Sequence, residues 1–273
     1  MPQAQSIDNF IESHRSDPYI AQCGKLAIVS CILKAERQST LWVDPGNIYN
    51  TINFSRVADT WFAGFFKILV QNCQREEVQE RLRQIAVISF NYDRCLEHYL
   101  YYALQNYYAM PSAEATETLR QLEVFHPYGT VGQLPCSGES KGVGYGSGLF
   151  SKQLADLANQ VQTFTEGTDE NSSEIIAIRE TLRSAERVAF LGFAFHPLNL
   201  ELLYGVKHER PSTKRGRESI VYATALGVSD SDAQLIASDL LHLGGYQPQD
   251  VHLKQGLTAS DLFKEYTRSL SLQ

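Results

Sequence analysis

Ile85-Ala86-Val87-Ile88-Ser89-Phe90, continuing into Asn91-Tyr92-Asp93 and then Arg94-Cys95-Leu96-Glu97, is the stretch whose reading decides the fold. Its first six residues are mostly apolar and do not alternate, which predicts a strand over 85–90 buried on both faces. The polar triplet falls where that strand ends and a helical pattern begins. In an open α/β sheet the ligand site lies at this carboxyl edge. An Asn and an Asp two residues apart are suited there to orienting a hydroxyl group or a water molecule.

Upstream, residues 1–84 read as a mainly helical layer. Ser6 caps a helix bearing Ile7, Phe10 and Ile11, and Pro18 takes the first turn of a second helix through Ile20, Ala27, Ile28, Ile32 and Leu33. After the turn Asp44-Pro45-Gly46-Asn47, the spacing of Val57, Trp61, Phe65 and Leu69 predicts a third helix with an aromatic packing stripe. Residues 75–83 form a charged helical face. Downstream, residues 85–273 alternate strands with helices. Glu123-Val124-Phe125-His126 reads as a second strand, left through Pro127-Tyr128-Gly129-Thr130-Val131-Gly132. A glycine-rich loop over 138–148, a helix over 149–164, a polar linker over 165–173 and a helix over 174–184 follow.

A third strand over 188–193 contains Gly192 and Phe193 and ends in His196, Pro197 and Asn199; its glycine lets a ligand or another backbone come close. A short helix follows, then a basic loop over 207–217. The fourth strand, 220–225, ends near Thr224, and a helix capped by Ser229 or Asp230, a weak strand over 251–253 and a last helix capped near Ser260 close the chain. The alternation predicts an α/β class with a mainly parallel sheet flanked by helices, built as one domain over 1–273. In one such sheet the three polar strand ends would share an edge. That convergence is the argument for a site, since taken singly Asp93 is equally a helix cap, His126 equally a core histidine, and Asn199 equally the cap of its helix.

Composition limits the function. The chain has 273 residues, 43% of them apolar, enough for a buried core, and a formal charge of -7 argues against broad adhesion to nucleic acid or anionic membrane. There is no apolar run of spanning length and no signal-peptide pattern at Met1-Pro2-Gln3-Ala4-Gln5, so a cytoplasmic protein with no membrane partner is expected. Five scattered cysteines without a C-x-x-C pair imply neither a disulfide framework nor a structural zinc site, and no metal is expected. Self-association and a protein partner stay open.

Three segments carry a resemblance. Asn91-Tyr92-Asp93 with Leu96-Glu97, His126-x-Tyr128-Gly129-Thr130-x-Gly132, and Phe190-Leu191-Gly192-Phe193-Ala194-Phe195-x-Pro197-x-Asn199 are similar, in this order, to the motifs of SIR2-like domains, divergent relatives of the sirtuins found in many bacterial defence proteins. The resemblance implies a Rossmann-type fold that binds NAD, as substrate or ligand, and an activity that cleaves the nicotinamide glycosidic bond. It implies Asn91, His126 and Tyr128 as the candidate catalytic residues, with Asp93, Gly129, Thr130, Gly192, Phe193, His196, Asn199 and Thr224 beside the nucleotide.

Such chemistry requires stabilisation of an oxocarbenium-like ribose and an oriented water. Asn91 suits the second task. Where active relatives place a basic His before the Gly, this chain has Tyr128, a poor base at neutral pH; His126, two residues earlier, would point the same way if the strand continued. No glycine-rich turn such as G-A-G-x-[ST] precedes Ser6, and Gly142 to Gly148 does not meet the G-x-G-x-x-G spacing, so the expectation is a SIR2-like domain lacking its first nucleotide-binding strand. The absent four-cysteine module counts against protein deacylation. A catalytically silent nucleotide-binding or interaction module is the alternative. Gly138-Glu139-Ser140-Lys141-Gly142 matches G-x-S-x-G but lacks the strand before it and the helix after it that a nucleophile elbow needs.

Overall fold

The computed structural model describes residues 4, 6–47, 49–137, 142–148, 151–163, 166, 169, 171–205 and 219–272. The described elements, in chain order, are α1 (Ile7–Ser13), α2 (Pro18–Gln38), α3 (Trp61–Val70), α4 (Val78–Leu82), β1 (Ala86–Ile88), α5 (Cys95–Tyr108), α6 (Ser112–Leu119), β2 (Glu123–Phe125), α7 (Ser151–Ala158), α8 (Ser173–Ser184), β3 (Arg187–Phe190), α9 (Pro197–Tyr204), β4 (Ile220–Thr224), α10 (Asp230–Gly244), β5 (Val251–Lys254) and α11 (Ala259–Glu265). The class is mixed α/β, with parallel strands. Among the described residues no helix is long and apolar enough to cross a membrane.

The chain groups into two compact units. Met1–Ala58 with Asn72–Gly167 form the first, and Asp59–Gln71 with Thr168–Gln273 the second. The helical segment α3 thus belongs with the C-terminal part of the chain rather than with the other N-terminal helices.

In the first unit β1 and β2 pair in parallel, Ala86 opposite Glu123 and Ile88 opposite Phe125, and Ser89 N–H donates to the Phe125 carbonyl at 2.9 Å. Two helices, α5 and α6, make the crossover that parallel pairing requires. Ser6 caps α1 by accepting from Asn9 N–H at 3.1 Å, and Asp17 caps α2 with Pro18 in its first turn. The apolar faces of α1, α2 and α7 bury Ile11, Ile28, Val29, Leu33, Leu157 and Ala158 against Val131 and Val161. Fully burying each Ile, Val or Leu among them contributes about 1.5–3 kcal/mol.

In the second unit the order is β3-β4-β5, all parallel. The middle strand β4 has Val221 to Thr224 buried, as an unbroken apolar run flanked on both sides demands. Helices α9 and α10 connect the strands. Helix α3 lies on α11, where Gly64 meets Phe263 and the Phe65 and Phe263 rings stand 6.2 Å apart.

Several expectations are revised. Among the described residues the strands form two sheets, not one, so the first two polar strand ends belong to the β1-β2 pair and the third to the three-stranded sheet. The strand expected over 85–90 is confined to 86–88 and is half-buried rather than buried on both faces. The aromatic helix starts at Trp61, because Thr60 caps it; Val57 lies in a separate 3-10 turn, Phe54–Val57. Helix α7 stops at Ala158, six residues short of the expected 164. The G-x-S-x-G serine and the basic loop over 207–217 lie outside the described residues.

Candidate functional site

At the carboxyl ends of β1 and β2 the first unit brings Asn91 and His126 together. His126 Nδ1 lies 3.2 Å from the Asn91 carbonyl oxygen, and Nε2 lies 2.9 Å from Glu97 Oε1 on the first turn of α5. The two ring nitrogens therefore face two acceptors. The Asn91 side chain is exposed, and among the described residues its amide makes no hydrogen bond. Asp93 Oδ1 accepts from Cys95 N–H at 3.1 Å just ahead of α5, whose N-cap position is held by Arg94 rather than by Asp93, one residue later than the capping alternative expects. Burial is the strongest influence on the His126 ring and works against its charge. The Glu97 carboxylate, the Asn91 carbonyl and Asp93 together outweigh it, and the ring titrates above the ordinary imidazole range.

Tyr128 is directed elsewhere. The strand stops at Phe125, and Pro127 enters a tight turn closed by Gly129 N–H on the His126 carbonyl at 2.7 Å, so the two side chains do not share a strand face. The Tyr128 ring is buried, edge-on to Phe90 at 5.7 Å between centroids. Burial pushes its phenol up to about 12, which removes it as a base near neutral pH. Gly129 has φ +79, and a Cβ there would stand 2.3 Å from the Gln160 carbonyl oxygen, so the turn needs glycine. Thr130 is half-buried beside it. Tyr92 is also committed to packing: its hydroxyl donates to the Gln162 carbonyl at 2.9 Å and lies 3.3 Å from Asp8 Oδ1.

The strand end rests on a buried ion pair. Arg94, 1% exposed, pairs with Glu36, 2% exposed, on α2. Its Nε donates to Glu36 Oε1 at 3.0 Å and its Nη2 to Oε2 at 2.6 Å, while Nη1 reaches the carbonyls of Gly132 and Val143 and Nη2 that of Gly144. All five guanidinium N–H groups are thus satisfied. Glu36 Oε2 also accepts from Gly146 N–H at 2.9 Å. Beside this pair, His98 is stacked on Tyr145 at 3.9 Å and 9°, and its Nε2 donates to the Leu41 carbonyl at 2.9 Å. The Tyr145 hydroxyl lies 3.1 Å from Cys95 Sγ and 3.2 Å from Ser39 Oγ.

The remaining predicted residues belong to the second unit. Gly192 follows β3 at φ +60, and its N–H donates to Thr224 Oγ1 at 2.9 Å; that hydroxyl in turn reaches the Phe190 carbonyl at 3.3 Å. Thr224 is therefore a buried tie between the ends of β3 and β4. Phe193 packs with Phe190 and with Phe195, whose φ of +52 is rare for a bulky side chain. His196, not Asn199, caps α9: its Nδ1 accepts from Leu198 N–H at 3.3 Å, and Asn199 sits inside the first turn.

Glu97, Glu36 and Arg94 were not among the predicted site residues. For Glu36 a signal exists, since Val29, Leu33 and Glu36 follow one another at helical spacing on the buried face of α2. Two open depressions of about 250 and 440 Å³ in the first unit are lined by other residues, around Lys25 and Glu166 and around Tyr49, Tyr101 and Tyr102. Among the described residues no group of three or more His, Cys, Asp or Glu could hold a metal ion. Comparison of the chain with protein-family models, with curated proteins and with solved structures finds no match.

Proposed function

We propose that the chain processes NAD, water replacing nicotinamide on the ribose to leave ADP-ribose, nicotinamide and a proton. The reading takes the parallel strands and their helical crossovers as parts of a SIR2-like, Rossmann-type fold. The observation that carries it is Asn91: an exposed amide without a partner among the described residues, at the carboxyl end of a parallel strand, its backbone held by His126. An amide so placed orients a water or a ribose hydroxyl, while the carboxyl of Asp93 two residues on favours positive charge developing nearby. Nicotinamide release by the full chain is the test, with Asn91→Ala as control. The reading expects release by the parent protein and its loss in the variant; equal background rates in both defeat it.

A second reading has its own support. His126 has both ring nitrogens on acceptors, and burial keeps the Tyr128 phenol protonated, so neither is a ready base at neutral pH. This favours a catalytically silent nucleotide-binding or interaction module. Calorimetric binding of ADP-ribose without turnover of NAD would establish it.

A further inference from the structure

The His126 ring is placed between two groups that can only accept. The Asn91 carbonyl is 3.2 Å from Nδ1 and the Glu97 carboxylate 2.9 Å from Nε2. Both contacts are hydrogen bonds only when both nitrogens carry protons. A neutral ring keeps one donor. The charge-assisted bond to the carboxylate is the shorter and the stronger, so the proton stays on Nε2 and the bond to Asn91 is the one lost. The Asn91 carbonyl would then face the Nδ1 lone pair and move away from it.

We propose that Glu97 and His126 form a protonation-dependent clamp on the backbone of Asn91, engaged while the ring is doubly protonated and released when Nδ1 loses its proton. Glu97 is its positioning residue, seated on α5 where the Asp93 tie to Cys95 N–H fixes the first turn. The charged groups facing the ring are Glu97 from α5 and Asp93 from the turn after β1, both favouring the cation. Cys136 lies beside Glu97; its thiol is pushed up to about 12 by burial, so it stays neutral and leaves the clamp to these two carboxylates. Both partners are largely shielded, 11% and 15% exposed, which keeps the pair from being screened away. The consequence for chemistry rests on the NAD reading above, whereas the clamp does not: in that reading Asn91 is set for its ligand below the midpoint of the ring and loosened above it.

Ring 15N and 13C shifts of the histidine-labelled full chain, followed from acid to alkaline pH and assigned by His126→Gln, test this directly. The clamp requires a midpoint for His126 above the ordinary value of about 6.5, both nitrogens protonated below it, and Nδ1 as the nitrogen that deprotonates. In Glu97→Gln the midpoint moves down. A midpoint in the parent protein at or below the ordinary value overturns the clamp, as does deprotonation at Nε2 or an unmoved midpoint in Glu97→Gln. The parent titration decides the matter even if the variant does not fold. A clamp that titrates as stated in a protein that neither binds nor cleaves NAD supports the clamp and defeats the functional reading. Where NAD is cleaved, the alkaline limb of nicotinamide release follows the His126 midpoint and shifts to lower pH in Glu97→Gln.

Discussion

Replacing Glu36 with glutamine should be among the most damaging single changes the first unit can suffer. The carboxylate receives Arg94 Nε on one oxygen and Arg94 Nη2 together with Gly146 N–H on the other. A glutamine of the same shape offers one acceptor oxygen and turns an NH₂ group toward donors, so at least one buried N–H loses its partner and the guanidinium is left with its charge uncompensated. Breaking a buried pair in this way costs about 3–5 kcal/mol, a large share of the roughly 5–15 kcal/mol that holds a typical domain together. Arg94→Met should cost a similar amount, since it strands Glu36 and leaves the carbonyls of Gly132, Val143 and Gly144 without their donor. The double variant Glu36→Met/Arg94→Met removes both charges at once. It should therefore cost less than the sum of the single changes, though not nothing, because the three carbonyls remain orphaned. Each unit contains one tryptophan, Trp42 in the first and Trp61 in the second. Urea unfolding followed by the fluorescence of Trp42 in a Trp61→Phe background reads the first unit without interference. A loss below about 1 kcal/mol for Glu36→Gln, or additive costs in the double variant, would refute the account of Arg94 as the fastener of the strand end.

Three further outcomes are expected. Burial first, and Arg94 beside it, hold His98 down to about 4 against the opposing pull of the Leu41 carbonyl. With the unfolded value near 6.5, its stabilising contribution is complete above about pH 6.5 and is lost as pH falls toward 4, by about 3 kcal/mol; His98→Gln should lose this acid sensitivity in denaturant melts at pH 4.5 and 7. Gly129→Ala and Gly192→Ala both place a side chain at positive φ, for about 1–2 kcal/mol, but only at Gly129 does the new Cβ meet a backbone oxygen, at 2.3 Å, while nothing lies within 4 Å at Gly192. Gly129→Ala should lower the melting temperature clearly more than Gly192→Ala does. Thr224→Val keeps the shape and removes the hydroxyl that serves Gly192 N–H and the Phe190 carbonyl; a loss of about 1–3 kcal/mol is expected, with faster amide exchange at Gly192 as the local readout.

Much of this fold is local in origin, and that part was legible. The run Ile220 to Thr224 is read as a strand because it is apolar without alternation, as burial of both faces demands, and Ser6 and Ser229 mark helix starts because a short side-chain oxygen reaches the first free N–H groups, while Pro18 marks one because its fixed φ suits the first turn. Sequence pattern misleads where it runs through a structural boundary. The four-residue spacing from Val57 to Leu69 continues across a break at Asp59 and Thr60, and only the cap at Thr60 tells the two sides apart. The pairing of Arg94 with a residue 58 positions earlier carries no local signature at Arg94 itself. Strand partnership is likewise non-local: five parallel strands are compatible with one sheet or with two, and hydrophobic pattern does not distinguish them.

The candidate site shows a sharper version of the same limit. Residue type marks Asn91 for orienting water, His126 for taking a proton and Tyr128 as a poor base, but chemistry needs an available donor or acceptor, and that depends on what the fold consumes. The strand stops at Phe125, before His126, and the turn at Pro127 sends Tyr128 into the core, where its phenol is no base. Both His126 nitrogens are spent on Glu97 and Asn91, and one Asp93 oxygen is spent on the start of α5. Among the described residues, what remains at this strand end is the second Asp93 oxygen and the amide of Asn91, whose backbone is fixed and whose side chain is unspent. An amide is neither acid nor base near neutral pH. It can orient and bind, which on the NAD reading proposed above suits the nicotinamide–ribose bond, where positive charge develops on the ribose as the leaving group departs and an oriented water adds to it.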